Sequence, residues 1–148
     1  MDTQNQGGHG SNRTKHDFKV CTSGLKEKFE NEWLCDLIWY RINTNNRLES
    51  VPVVLESEWS MDDYEIRYDF EKLLLANSPV KVMIFQDYGD NAIETFEKLQ
   101  IGITEFGLGI PCIYILACYQ WNKRRFEIKQ FKKEPAKPLE LLNVEPVI

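Results

Sequence analysis

The sequence predicts an α/β domain built on a mixed sheet flanked by helices. Three observations carry that expectation. The segments WLCDLIWY, VKVMIF and CIYILACY are rich in β-branched and aromatic residues. Between them lie two segments whose apolar residues recur at helical spacing. The chain has 148 residues, 43% of them hydrophobic, which suits one domain with a real core.

The elements follow in order. Residues 1–15 are polar and glycine-containing without periodic apolar positions, so they are expected to form a flexible tail. Thr22 or Ser23 can cap a short helix through GLKEKFEN, followed by a strand in WLCDLIWYRI. The polar stretch NTNNRLES makes a turn, and VPVVLESEW returns as the antiparallel partner. In SMDDYEIRYDFEKLLLANSP the stripe Ile66, Phe70, Leu73, Leu74 predicts a helix that stops at Ser78-Pro79.

VKVMIFQDY is the next strand. DNAIETFEKLQIGITEF is a second helix, with Ile93, Phe96 and Leu99 or Ile103 toward the core, and PCIYILACYQW is a further strand. RRFEIKQFKK alternates and is expected to pair with it after a turn at Asn122 and Lys123. Because the central strands are apolar at both parities, helices are expected on both faces of the sheet. The domain is thus placed at residues 16–134, with 135–148 as a proline-containing strap.

A formal charge of −5 leaves no global positive field for nucleic acid or anionic lipid. The four cysteines form no Cys-x-x-Cys pair and His9 and His16 lie far from them, so zinc-ligand spacing is absent. With no signal-like or membrane-length apolar run, the expectation is a cytoplasmic protein with reduced, mostly buried thiols and no membrane partner. Trp33, Trp39, Trp59 and Trp121 are assigned to core or rim packing rather than to base stacking.

The chemistry is concentrated in LESEW. Alternation along a strand puts Glu56 and Glu58 on one face, and Asp36 on the hairpin partner comes beside them in a suitable register. Like charges crowded near a sheet require compensation by protons or a cation. Oxygen ligands of this kind suit Mg²⁺ or Mn²⁺. The plain reading is a strand end emerging into solvent, with Asp36 in a structural ion pair.

The order helix, strand with Asp36, strand with Glu56-Ser57-Glu58, helix, strand resembles the PD-(D/E)XK nuclease superfamily, the restriction-endonuclease-like fold with its αβββαβ core. The resemblance spans about Ser23 to Val82. It implies that Asp36 and Glu56 are the metal acids and that the Ser57 carbonyl is the backbone ligand. Glu58 stands where the family has lysine, and Cys35 where it has proline. Some members resemble this pattern in carrying an acid there; others move the lysine to the following helix, where Lys72 is available. Glu27 and Glu30 are positions for a further acid from the first helix.

The implied reaction is metal-dependent phosphodiester hydrolysis of DNA or RNA, with Glu58 or Lys72 orienting the water, and a homodimer is compatible with it. The alternative is a catalytically silent interaction or regulatory protein that keeps the fold. On a helical wheel Lys72 lies off the apolar stripe, on the flank of Tyr68 and Asp69, and reaches the acids only if that flank borders the sheet. Lys123, Arg124, Arg125, Lys129, Lys132 and Lys133, interleaved with Phe126 and Phe131, offer a contact for nucleic-acid phosphates. Their plain reading is an edge strand guarded by lysines.

Overall fold

In the computed structural model, residues 18–22, 34–88, 92–107 and 109–142 are described. Seven strands form one mixed sheet in sequential order: β1 (Phe18–Thr22), β2 (Leu37–Ile42), β3 (Leu48–Glu58), β4 (Val80–Asp87), β5 (Cys112–Gln120), β6 (Arg125–Lys133) and β7 (Glu140–Leu142). Helix α1 (Asp63–Leu75) links β3 to β4 and α2 (Ala92–Glu105) links β4 to β5. Those two pairings are parallel and the remaining four antiparallel. The architecture is therefore mixed α/β, with the β2–β3 hairpin where it was expected.

Its turn is built by Asn43, whose Oδ1 accepts the Asn45 and Arg47 N–H groups at 2.9 and 3.0 Å. Asn46 takes the left-handed φ of 57° that asparagine tolerates.

α1 starts where Asp62 Oδ1 accepts the Tyr64 N–H at 2.7 Å, and it buries Ile66, Phe70, Leu73 and Leu74, the stripe read from the sequence. It stops short of Ser78-Pro79, at an extended Ala76. Lys81, buried in β4, donates from Nζ to the Leu74 carbonyl at 3.1 Å and satisfies one of the helix's last acceptors. Replacing the cap, Asp62→Ala, is expected to lower stability by about 1 kcal/mol. Urea unfolding checks this, and an unchanged midpoint would refute the capping role.

Both described helices lie on one face of the sheet, and the third expected helix, in GLKEKFEN, falls outside the described residues. Phe70 of α1 meets Tyr114 of β5 at 6.2 Å, and Phe96 of α2 meets Phe85 of β4 edge-on at 5.3 Å. Two right-handed crossovers stepping the same way across a sheet must place their helices together. The buried positions facing the helices are accordingly Lys81, Met83 and Phe85 of β4 and Cys112, Tyr114, Leu116 and Cys118 of β5, while Ala117 is buried on the other face. Val82, Ile84, Ile113 and Ile115 on the other face are only half-buried, and no helix among the described residues covers them.

Other differences have local causes. Ile93 is exposed, and α2 buries Ala92, Thr95, Phe96, Leu99 and Ile103 instead. The strap contributes a short strand, β7, paired with β6 at Gln130, Phe131 and Lys132, so β6 is an edge only over its first half. β1, which pairs with β2, had no counterpart in the sequence reading. The expected helix in GLKEKFEN, with Glu27 and Glu30, and Trp33 lie outside the described residues. Trp39, Trp59 and Trp121 are all exposed, so the core aromatics are phenylalanines and tyrosines. Cys35, Cys112 and Cys118 are buried free thiols, and no described helix is long and apolar enough to cross a membrane.

Candidate acid and lysine site

The site is assembled by the hairpin and by α1. Leu37 pairs with Leu55, so continuing the antiparallel register sets Asp36, just ahead of β2, opposite Glu56 of β3. Asp36 is anchored there: its Oδ2 accepts both the Ser57 N–H at 2.8 Å and the Ser57 hydroxyl at 2.9 Å. Ser57 thus acts in this structure through its donors, as the residue that holds Asp36.

Glu56 points beneath the helices and is 1% exposed. Neither of its carboxylate oxygens accepts a hydrogen bond of good geometry. Charge compensation comes from α1, where Lys72 Nζ lies 3.2 Å from Glu56 Oε1 and 2.7 Å from Asp69 Oδ1. The flank carrying Tyr68, Asp69 and Lys72 therefore does border the sheet. The ammonium also sits 5.8 Å from the Tyr68 ring centre.

Burial dominates the electrostatics of Glu56 and pushes its carboxyl up to about 7; Lys72 opposes that rise, while Asp36 and Asp69 reinforce it. For Lys72 the balance is reversed. Burial works against the ammonium, but Asp69 and Glu56 outweigh it and hold its pKa above the ordinary lysine value. The two partners thus respond unequally to one ion pair, because Glu56 is fully enclosed and Lys72 keeps a side chain 23% exposed. The neighbouring Cys35 thiol is pushed up to about 12 by burial and then by Glu56, which leaves it a protonated packing residue rather than a nucleophile.

Glu58 departs from the expected convergence. Its Oε1 accepts the Ser60 N–H and closes the turn into α1. Among the described residues no three His, Cys, Asp or Glu side chains gather as a metal-binding group, so the three acids do not meet as one cage. Two of them, Asp36 and Glu56, do lie together, with Lys72 in place.

Asp69 was missed in the sequence reading, although its i,i+3 spacing to Lys72 is a readable signal. Part of the basic run is engaged within the fold. Lys129 packs on the Phe96 ring at 4.5 Å, Lys132 pairs with Glu134 at 2.7 Å, and Lys133 donates to the Thr104 and Lys137 carbonyls at 3.4 and 3.3 Å. Lys123, Arg124 and Arg125 remain exposed at the β5–β6 turn.

Fold and site together define a mixed α/β domain with a buried glutamate–lysine pair beside a second acid just ahead of the adjoining strand. The chain matches no protein-family model, no curated protein and no solved structure.

Proposed function

We propose that this domain is a PD-(D/E)XK-like, metal-dependent phosphodiesterase acting on DNA or RNA, in which the motif lysine has moved to the helix as Lys72. The observation that carries this reading is the Lys72 ammonium 3.2 Å from the buried Glu56, with Asp36 beside it. The Glu56 carboxylate, paired with Lys72 but accepting no hydrogen bond of good geometry, and the Asp36 carboxylate are hard oxygen donors. They fit Mg²⁺ or Mn²⁺, which is commonly held by one or two carboxylates and otherwise by water and phosphate oxygens.

When bound, such a cation polarises a phosphoryl oxygen and lowers the pKa of a coordinated water. The chain's own groups do the rest. Ser57 holds Asp36 through two hydrogen bonds, so that acid is pre-oriented before substrate arrives. Asp69 keeps Lys72 charged and aimed at Glu56, where the ammonium can pass to the attacking water or a phosphate oxygen. A high Lys72 pKa makes it an electrostatic and orienting group rather than a base.

A second reading, a catalytically silent relative that acts by interaction, draws on the same ion pair. Lys72 neutralises Glu56 without any added cation, and Glu58 is committed to the turn. Cleavage of plasmid and single-stranded substrates with Mg²⁺ or Mn²⁺ separates the two. Lys72→Met and Asp36→Asn are each expected to reduce cleavage roughly 100-fold or more. A wild type that cuts nothing under these conditions supports the silent reading instead.

A further inference from the structure

The proposed catalytic pair leaves unused an aromatic cluster on the opposite face of the sheet, at the carboxyl ends of the parallel strands. Because β3, β4 and β5 are parallel, their carboxyl ends share one rim, and Tyr88 and Trp121 stand on it just past β4 and β5. Their rings stack, with centroids 5.6 Å apart and planes within 10°. Tyr119 meets Trp121 edge-on at 5.0 Å and Phe126 at 5.2 Å. Tyr88 is 62% and Trp121 42% exposed, so much of this aromatic surface faces water rather than the core.

The cluster is fixed in place and charged. The Trp121 indole N–H donates to Gln86 Oε1 at 2.7 Å, and Gln86 Nε2 donates in turn to the Trp59 carbonyl, tying the cluster to the end of the acid-bearing strand. Tyr88, Tyr119, Trp121, Asn122 and Arg124 line an open cleft of about 480 Å³. Arg124 holds a left-handed φ of 51°, and Lys123 and Arg125 flank it. The neighbouring acids, Asp87 and Glu127, are half-buried, and Glu127 is engaged by Gln120 at 2.8 Å.

Flat aromatic faces beside cations, on a chain whose net charge is −5, match an unstacked base and its phosphate better than a duplex or an acidic protein surface. Met83 and Glu56 face the helices, whereas Gln86 and Tyr119 have the opposite parity, so the cluster lies at the carboxyl rim on the face turned away from the acid–lysine pair.

We propose that Tyr88, Trp121 and Arg124 form a stacking platform for a single-stranded segment of nucleic acid. The platform extends the phosphodiesterase reading by naming its substrate class, and it rests on that reading for the chemistry but not for binding.

Anisotropy of labelled oligothymidine and of its duplex with oligoadenine, in EDTA and low salt, tests binding without cleavage. The single strand should bind more tightly and quench tryptophan fluorescence. Tyr88→Ala and Trp121→Ala should each weaken it roughly tenfold, with Trp121→Phe retaining most of the affinity. Arg124→Gly suits the left-handed turn, so the fold is kept while the salt dependence drops by about 0.7 in slope.

Equal affinity for duplex, or full affinity in both alanine variants, overturns the platform. So does a wild type that binds no oligonucleotide, which would leave the aromatics to a protein contact. Trp121-dependent binding by a chain that cleaves nothing with Mg²⁺ or Mn²⁺ upholds the platform and removes only the catalytic reading.

Discussion

Phe70→Ala is expected to lower the unfolding free energy by about 3–5 kcal/mol, the range for removing a fully enclosed phenylalanine. Phe70 is 2% exposed, packs on Tyr114 and lies so near α2 that a Cβ added at Gly102 would stand 3.3 Å from its ring. That closeness means α1, α2 and β5 are already in contact around the ring, and they cannot collapse further into the space it leaves. Domains of this size have stabilities of roughly 5–15 kcal/mol, so the variant should sit near the edge of folding. Lys72 lies two residues beyond Phe70 on the same helix, so a loosened α1 should also blur the acid–lysine geometry. Urea denaturation measures the loss; a shift below about 1 kcal/mol would show that α1 does not seal the core through this ring.

Glu56→Gln is expected to stabilise the protein in a pH-dependent way, by on the order of 3 kcal/mol at pH 8 and by almost nothing near pH 4. The sign follows from the protons. Glu56 titrates near 7 when folded and near its ordinary 4.5 when unfolded, so between those values the folded state binds the extra proton. Stability from this group is therefore present at low pH and is lost as pH rises through the folded value. Glutamine has no proton to lose and removes the dependence.

Unfolding of wild type and variant compared across that pH window isolates the term, because the other titrations cancel in the difference. A difference that is flat with pH would mean that Lys72 fully compensates the buried charge. If stability rises in this variant while cleavage disappears, Glu56 shows the usual tension between stability and function at a site.

Much of the architecture was legible from residue patterns. The stripe Ile66, Phe70, Leu73, Leu74 could face only one way, and the segments around Val82 and Ile115 could only be strands, because both periodicities are intrinsic to the backbone. The neighbourhood of Asp36 and Glu56 was legible too, since a short hairpin brings its own strands into register. Cover of the sheet was not. Among the described residues no helix lies over Val82, Ile84, Ile113 and Ile115, and apolarity says only that a position avoids water, not which element shields it.

Sequence by itself determined the two helices, the strands between and beside them and the two acids that adjoin, but neither β1 nor β7, because the former depend on local periodicity and on hairpins whose ends are close in the chain. Only the tertiary structure decided that α1 turns its Tyr68–Lys72 flank onto Glu56, that Glu58 is spent on a turn, and that Tyr88 meets Trp121. Each of these depends on the rotation of a helix about its axis or on the meeting of two strand ends. Packing over the whole sheet sets those, and no short window of residues contains it.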